Sequence, residues 1–421
     1  MNKRWDTQTK KVNKKLLENS IMLYIMKFSG YFFSLAVVPY QTRVLSKQCY
    51  GGLSLAQGLM MYFTILIDFG FMVSGVTEVS NNQNDRRKLS ECLTSVLIIR
   101  IGLSLLSVGI LSGVILLIPS YTPWAIAFYI YLAAVILESL LPMFFLRGME
   151  DMRTVAFLTL LSKAVTTALI FIAVKSDTEY LLVPCMRLAG AVLSFGIAWL
   201  YIRKKYKVGL IKVSKEKIFS TLREAFGFFI SRVSTAVYRY GNTVILGAAM
   251  PATAVAMYAC PAKLMDIGMT MSSPISDSLL PYISKTRDYK SAWRMMLIIA
   301  PWIIFGGTVG FIWAEPIISL IFGDKYVESA GVLRILIPII AITPINYILE
   351  YPVMVPMGLK NQSNLASIVG MIVYVSGMFL LLCADHITII GAAVVLLLSE
   401  YGAAGWRVVI VLKHRNRLMN Q

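Results

Sequence analysis

The sequence has little charge, few cysteines and almost no histidine, and each shortage argues against a kind of protein. Charged residues make up 15% of its 421 residues and hydrophobic residues 57%, and the mean hydropathy is +0.70. The five cysteines are scattered without a C-x-x-C pair, and only two histidines occur, which argues against a disulfide framework or a zinc site. A soluble chain of this length could not bury so much apolar surface, so the composition predicts a polytopic membrane protein.

Catalytic and nucleotide-binding motifs are also missing. The sequence has no Walker A motif, no G-x-G-x-x-G and no Ser/His/Asp arrangement, and His386 and His414 lie near helix or chain ends. We therefore expect a protein that is not an enzyme and that needs no cofactor. The N-terminus, MNKRWDTQTKKVNKKLLENS, is polar and basic and lacks the cleavage site of a signal peptide, so the first hydrophobic segment is expected to be an uncleaved anchor.

Long apolar segments recur along the chain and predict its fold class. A hydrocarbon core of roughly 30 Å needs about 20 apolar residues per helix. Strand-like alternation is absent from these segments, and backbone polar groups in lipid need partners within the chain, so an all-α bundle of about twelve transmembrane helices is expected. The twelve segments are about 16–42, 51–79, 92–118, 122–146, 154–174, 180–202, 219–249, 252–283, 293–314, 331–357, 361–383 and 388–412.

Basic residues are divided unequally between the two sides of this predicted bundle. With the N-terminus inside, the inner segments hold 26 Lys and Arg residues and the outer loops hold 4. Such a bias predicts a multi-pass protein with cytoplasmic N- and C-termini. It also accounts for most of the net charge of +18, so no nucleic-acid partner is expected.

The longest inner loop is basic and separates six predicted helices from six. We therefore predict an N-terminal six-helix lobe at 1–202, a basic cytoplasmic linker at 203–218 and a C-terminal six-helix lobe at 219–421. A plan of two related halves is common among transporters. The predicted outer loops are all short, which leaves no room for an extracellular domain.

Several ionisable residues remain inside the predicted helices. Each costs at least ~2.5 kcal/mol at the bilayer centre, so each needs a partner, a wet cavity or a route to the interface. Arg223, Arg334 and Arg407 lie near helix ends, from which long side chains reach the interface. The deeper basic residues are expected to face a water-filled interior; they are Lys27, Arg100, Lys163, Arg187, Arg232, Arg239 and Lys263.

Helical spacing places two of these arginines on one face. Arg232 and Arg239 lie seven residues apart, which is nearly two turns, and Asn242 falls close to the same stripe. A cavity lined by Arg and Lys favours anions, and the guanidinium fork matches phosphate oxygens, so an anionic, phosphate-bearing substrate is predicted. The predicted substrate-binding residues are Arg232, Arg239, Lys27, Lys263, Lys163, Arg100 and Asn242.

Intramembrane carboxylates have two interpretations. They could form salt bridges that only fix packing, which suits Glu138, Asp277 and Glu400 as well as a functional role does. Because no nucleotide site is visible, an ion gradient is the candidate energy source. Asp68, Glu138 and Glu350 are the predicted carboxylates for coupling to protons or Na⁺, and no metal site is predicted.

Two stretches resemble the Wzx-type polysaccharide flippases. In VVPYQTRVLSKQCYGGLSLAQGLMMYFTILIDFGF, one helix ends in P-Y-x-x-R-x-L, a short turn carries Y-G, and the next helix contains D-F-G-F at 68–71. The stretch YACPAKLMDIGMTMSSPISDSLLPYISK is similar to the family's eighth helix. Ser46 and Thr77 stand where the family usually has Gly and Arg, and these departures bear on the subgroup.

The resemblance implies the fold of the multidrug/oligosaccharidyl-lipid/polysaccharide exporter superfamily, with two six-helix lobes around a central cavity. It implies that undecaprenyl-pyrophosphate-linked oligosaccharide repeat units, such as those of O-antigen or capsule, move by alternating access. The movement would run from the inner to the outer leaflet of a bacterial cytoplasmic membrane. The implied partners are this lipid-linked oligosaccharide, membrane lipids and the polysaccharide polymerase machinery.

Two other functions stay open at this point. A drug or cation exporter of the same fold would need an acidic or aromatic cavity, and the deep basic residues argue against one. A membrane enzyme acting on lipid-linked sugars would generally need a large outer loop, and the sequence predicts none.

Overall fold

The structure is a computed structural model that describes residues 22, 24–26, 28–30 and 32–414. Within these residues the regular structure is helical and no strand occurs, which confirms the predicted all-α fold class. Helix α1 comprises the described residues up to 44. Helices α2 to α16 follow in chain order: Lys47–Asp68, Phe71–Asn81, Arg86–Leu117, Ala125–Leu140, Met143–Gly148, Met152–Ala173, Leu182–Tyr206, Lys215–Ala249, Ala252–Met271, Ser273–Thr286, Tyr289–Ile312, Ala314–Phe322, Ala330–Ile348, Lys360–Cys383 and Ile389–Lys413.

Nine helical segments among the described residues are long and apolar enough to cross a membrane, and each overlaps a predicted span. Three predicted spans are not among them. The segment at about 16–42 lies partly outside the described residues, α9 is interrupted by several charged and polar residues, and the segment at about 252–283 is divided between α10 and α11. The count of twelve stays a prediction. The nine are Lys47–Asn81, Arg86–Leu117, Pro119–Gly148, Met152–Ala173, Leu182–Tyr206, Tyr289–Ile312, Asp324–Met354, Lys360–Cys383 and Ile389–Lys413.

Large apolar side chains lie on the outside of the long helices. On α12, Trp302 is 74% exposed and Phe305 is 66% exposed, and on α4 Leu105 is 70% and Leu116 is 84% exposed. Apolar surface of this extent on helices of spanning length is the surface of a chain that is solvated by lipid. The protein is therefore a multi-pass membrane protein.

The chain forms two compact units. Unit 1 comprises Met1–Val44 and Met60–Arg232, and unit 2 comprises Leu45–Leu59 and Val233–Gln421. Helices α2 and α9 each supply residues to both units. Residues 203–218, the predicted linker, fall within unit 1, and the predicted lobe boundaries stay a prediction.

The core of unit 1 is built where short half-helices pack closely. Phe144 and Phe145 of α6 are completely buried in it, together with Phe71 of α3. A Cβ added to Gly75 of α3 would lie 2.7 Å from the Phe144 ring, so only glycine lets α3 approach α6 this closely. The close packing of α3 against α6 therefore depends on Gly75.

In unit 2, α14 continues into a π-helix at Leu349–Met354, which contains Pro352. Ile348, Leu349 and Val353 pack there with Leu279 of α11 in a small apolar core. π-Helical turns are wider than α-helical turns and are frequent at functional sites. Glu350 belongs to this turn.

Candidate functional site

The D-F-G-F motif interrupts the second predicted span. Helix α2 ends at Asp68, and Phe69 and Gly70 then take left-handed conformations with φ 46° and φ 89° before α3 begins. A Cβ on Gly70 would also lie 2.8 Å from the carbonyl oxygen of Ala225 and from Cβ of Phe228, both on α9. Glycine is therefore required by the backbone and by the close approach of α9.

Aromatic packing fixes α9 against this break. The rings of Phe69 and Phe229 stack with their centroids 4.4 Å apart and their planes 14° apart. Phe226 of α9 packs against the same Phe69 ring at 6.2 Å. Arg232 follows Phe229 by three residues, so its side chain emerges on the same side of α9 and reaches Asp68.

Asp68 accepts hydrogen bonds from two arginines. Nη2 of Arg100 lies 2.7 Å from Oδ1, and Nη1 of Arg232 donates to Oδ2. Arg100 is 2% exposed, whereas the side chain of Arg232 is 40% exposed. One carboxylate shared by two guanidinium groups leaves a net positive charge, and Arg232 is the member of the cluster that a ligand can reach.

Arg100 also binds a second helix break. Its Nη1 donates to the carbonyl oxygens of Ser139 at 2.5 Å and Leu141 at 3.3 Å, at the end of α5. Carbonyl groups at the end of a helix lack the N–H donors that a further turn would supply. The Leu141 carbonyl also accepts from the backbone N–H of Met143 at 2.8 Å. The guanidinium carbon of Arg100 lies 5.3 Å from the Phe144 ring centroid and 5.8 Å from that of Phe71. Arg100 thus connects the α2–α3 break to the α5–α6 break.

Glu138 forms a bidentate pair with Arg187 elsewhere in unit 1. Nε of Arg187 lies 2.9 Å from Oε1, and Nη2 lies 2.7 Å from Oε2. The guanidinium also sits 5.7 Å from the ring centroid of Tyr131. The predicted coupling carboxylate therefore has both oxygens engaged by an arginine.

The three predicted lysines have different positions. Lys163 is on α7, and its Nζ lies 2.7 Å from where a Cβ on Gly30 would be, so its ammonium group rests against helix α1. Lys263 is on α10 and is partly buried. Lys27 lies outside the described residues.

Unit 2 contains a polar cavity of about 310 Å³. Helices α9, α10, α11, α14, α15 and α16 and the π-helix all contribute to its lining. Serine, threonine and asparagine side chains occupy much of the lining, and two arginines, three carboxylates and three tyrosines supply its titratable groups. These titratable groups are Arg239, Arg407, Asp277, Glu350, Glu400, Tyr238, Tyr347 and Tyr351.

Arg407 is buried in this cavity wall. It is 4% exposed, its Nη2 lies 3.0 Å from Oε2 of Glu350, and its Nη1 lies 3.1 Å from Oδ1 of Asn346. The expectation that Arg407 reaches the membrane interface is therefore wrong. Arg407 lies near a helix end, but it turns inward because the partly buried carboxylate of Glu350 on the neighbouring π-helix needs a compensating charge.

Arg239 faces the same cavity with weaker contacts. Its Nη2 lies 3.3 Å from the hydroxyl of Tyr347, and its Nε lies 3.9 Å from Oε1 of Glu400. Its side chain is 28% exposed. Arg239 thus keeps most of its hydrogen-bond donors available, unlike Arg407.

Asn242 is completely buried. Its Nδ2 donates to the hydroxyl of Tyr258 and the carbonyl of Ala392, each at 2.8 Å, and its Oδ1 accepts from the hydroxyl of Tyr374 at 2.7 Å. These bonds join α9, α10, α15 and α16. The amide is used for packing, and its predicted contact with substrate stays a prediction.

The structure brings the predicted residues into separate groups. Arg100, Asp68 and Arg232 meet in unit 1, and Arg239 and Glu350 line one cavity in unit 2. The sequence left Glu400 open between packing and a functional role and did not connect it to Arg239. A signal was present, since Glu400 and Arg407 show the same seven-residue spacing as the two arginines of α9.

The spans, the helix breaks and the buried charged groups define a polytopic helical membrane protein. The structure is similar to the lipid II flippase MurJ in an inward closed conformation, with TM-score 0.73 and 12% identity over 94% of this chain and 87% of MurJ. It is also similar to an inward-facing MATE-family multidrug resistance transporter of the MOP superfamily, with TM-score 0.68 and 14% identity over 92% of this chain and 98% of the other.

Sequence comparison identifies the family. The chain belongs to the polysaccharide biosynthesis protein family, whose model matches residues 16–287. It is 24% identical over 365 residues to a Shigella dysenteriae protein proposed as an O-antigen transporter, covering 85% of this chain and 90% of that protein. It is 22% identical over 395 residues to an Escherichia coli protein of the same description, covering 91% and 94%.

Proposed function

We propose that the protein is a flippase for undecaprenyl-pyrophosphate-linked oligosaccharide repeat units. It moves them by alternating access from the inner to the outer leaflet of a bacterial cytoplasmic membrane, with both chain termini in the cytoplasm. Membership of the polysaccharide biosynthesis family supports this proposal, as do relatives that are proposed O-antigen transporters and a fold like that of a lipid II flippase.

The observation that carries the proposal is the geometry of Arg232. One of its amino groups is held by Asp68, whose charge Arg100 already compensates, and the rest of the guanidinium is accessible. A guanidinium held in this way is ready to bind phosphate oxygens with its remaining donors. In our proposal Arg232 binds the pyrophosphate, and Arg239, Lys27, Lys163 and Lys263 add positive charge along the path of the head group.

The proposal assigns Asp68 and Arg100 a positioning role. Arg100 is buried, and its Nη1 and Nη2 groups donate to two backbone carbonyls and to Asp68, so it orients the carboxylate that in turn orients Arg232. A fixed guanidinium loses less entropy when it binds phosphate than a mobile one does.

Coupling to a proton or Na⁺ gradient at Asp68, Glu138 or Glu350 is a further part of the proposal. Each of these carboxylates is bonded to an arginine, so the coupling ion would have to replace that arginine during transport. Amide variants of each residue, assayed with and without an imposed gradient, test this part. Unchanged gradient dependence in all three variants contradicts it.

Complementation in cells tests the proposed function. Strains that each lack one known flippase would receive the gene, and the restored surface polymer would identify the pathway. We expect the Arg232→Ala/Arg239→Ala double variant to stop export while the protein stays in the membrane. Arg334→Ala is the matched control, because Arg334 is paired with Glu315 outside the arginine cluster. Normal export by the double variant would defeat the assignment.

A cation exporter is the second candidate function, and one observation favours it. The unit 2 cavity has three carboxylates and two arginines, so its formal charge is negative when all are ionised. Efflux of an organic cation dye from cells, compared with flipping of a pyrophosphate lipid by the same protein, separates the two functions.

We also propose that the protein leaves its substrate covalently unchanged and works beside a polysaccharide polymerase. Mass spectrometry of a lipid-linked oligosaccharide after incubation with the purified protein tests the first point, since a change in mass would indicate an enzyme. Co-purification of the polymerase from the native membrane tests the second.

A further inference from the structure

The carboxylate of Glu400 differs from those of Asp68, Glu138 and Glu350. Glu400 is 5% exposed, and no described residue lies within hydrogen-bonding distance of its carboxylate oxygens. Its only ion pair among the described residues is with Nε of Arg239, at 3.9 Å. Asp68, Glu138 and Glu350, in contrast, each accept a hydrogen bond of 3.0 Å or less from an arginine.

The surroundings of Glu400 suit a group that changes its charge. It lines the 310 Å³ cavity, which is polar and has room for several water molecules at about 30 Å³ each. A buried carboxylate without hydrogen bonds is costly in its charged form, and uptake of a proton removes that cost. The cavity therefore provides both a route for the proton and a reason for its binding.

Other groups around the cavity set the balance of charge. The charged ones are Arg239 on α9, Arg407 on α16, Glu350 on the π-helix and Asp277 on α11. The phenols are Tyr238, Tyr347 and Tyr351. Helix α10 contributes Met269 to the lining, and its Asp266 interacts electrostatically with Arg239. Helix α15 contributes Ser367, which does not titrate. With Arg407 bonded to Glu350, Arg239 is the cation that Glu400 balances.

We propose that Glu400 is a protonation site whose carboxylate competes with the phosphate of the substrate for the guanidinium of Arg239. Ionised Glu400 balances the charge of Arg239. When Glu400 takes a proton from hydronium, one O–H bond of hydronium breaks, one O–H bond forms on the carboxylate, and water is left behind. Arg239 then loses its only ion pair among the described residues. Arg239 has one hydrogen bond, at 3.3 Å, and its Nε has no hydrogen-bond partner among the described residues, so its donors can then turn to an anion.

Linkage makes the effect reciprocal. If protonation of Glu400 strengthens binding of a pyrophosphate, then the pyrophosphate must strengthen binding of the proton by the same factor. We expect that factor to be about tenfold, within the usual range of coupling between two sites. The inference rests on the proposed function for the identity of the anion, but the linkage can be measured without transport.

Infrared difference spectroscopy and binding measurements on the purified full-length protein test the inference. The C=O stretching band of a protonated carboxylic acid should rise as the pH falls, and it should be lost in Glu400→Gln. It should persist in Glu315→Gln, the matched control, because Glu315 pairs with Arg334 and does not line the cavity. Farnesyl pyrophosphate, with farnesol as its uncharged control, should bind about tenfold more tightly on the acid side of that titration.

The variants separate the possible results. Glu400→Gln mimics the protonated state, so it should bind farnesyl pyrophosphate tightly at every pH. Glu400→Asp keeps an acid and should keep the band and the pH dependence, with a shifted midpoint, which covers the case that the amide variant does not fold. Three results would overturn the inference. The first is a C=O band that persists in Glu400→Gln, and the second is binding of farnesyl pyrophosphate by Glu400→Gln with the same pH dependence as the wild type. The third is a wild-type protein that binds no farnesyl pyrophosphate at any pH. Intact linkage in a protein that does not flip lipid would defeat only the proposed function.

Discussion

Asp68 lies at the α2–α3 break and binds two arginines. Arg100 connects it to the α5–α6 break, and Arg232 is oriented by it. Asp68 is the last residue of α2, and its carboxylate accepts hydrogen bonds from buried Arg100 and from Arg232. Pairs of this kind are not strong in themselves, because desolvation offsets their attraction, but removing one partner leaves a buried charge uncompensated. The same logic applies to the Glu350–Arg407 pair in unit 2.

Asp68→Asn is therefore expected to destabilise the protein by about 3–5 kcal/mol, because Arg100 keeps its charge in a buried position. Thermal unfolding in detergent measures this change. Glu315→Gln is the matched control, since it breaks the exposed Arg334–Glu315 pair and is expected to cost at most about 1 kcal/mol. Equal losses in the two variants would contradict the account of Asp68.

Asp151, which caps α7 outside the spans, predicts a pH dependence. Burial raises the pKa of Asp151, but hydrogen bonds from Lys205, Tyr201, Tyr206 and Thr154 outweigh it and lower the pKa to about 2. A lowered pKa contributes stability that is complete above the ordinary value of 3.8 and is lost as the pH falls toward 2.

Asp151→Asn should accordingly be less stable than the wild type by about 1–3 kcal/mol at neutral pH. The gap between the two unfolding temperatures should be constant from about pH 5 to 8 and should narrow below about pH 4. A gap that widens on acidification would show that the carboxylate is not the stabilising form.

At the scale of elements, the interrupted helices decide where charged groups can lie. The α2–α3 break depends on the left-handed Gly70, and the α5–α6 break exposes the carbonyls that Arg100 binds. The sequence predicts these regions as single spans at about 51–79 and 122–146, because apolar composition is continuous through both breaks. D-F-G-F is recognisable as a motif, but nothing in its letters shows that α9 crosses there.

Gly70→Ala should be destabilising by about 1–3 kcal/mol, because it combines a strained φ of 89° with contacts to Ala225 and Phe228 at 2.8 Å. Gly102→Ala on α4 should have the opposite sign, with a gain of about 0.5–1 kcal/mol, because a Cβ there meets no atom within 4 Å. Unfolding temperatures of the two variants check this contrast. An equal loss of stability in both variants would contradict the specific requirement for glycine at the α2–α3 break.

At the scale of the whole molecule, the fold class follows from composition and from the length of the apolar segments. Each of the nine observed spans overlaps a predicted one. The short helix α13, at Ala314–Phe322, was not predicted, because its nine residues lie in a segment assigned to an outer loop. The sequence alone does not predict which arginine pairs with which carboxylate, because the partners are far apart along the chain. Arg407 lies 57 positions from Glu350, and Arg100 lies 32 positions from Asp68.

The most direct test of the central claim is lipid flipping by the purified protein in vesicles. A fluorescent oligosaccharide linked through pyrophosphate to a polyprenyl chain would be placed in one leaflet, and its arrival in the other leaflet would be followed by quenching. The account predicts rapid transfer by the wild type and by Arg334→Ala, and little transfer by Arg232→Ala. Equal transfer by the wild type and Arg232→Ala would contradict it.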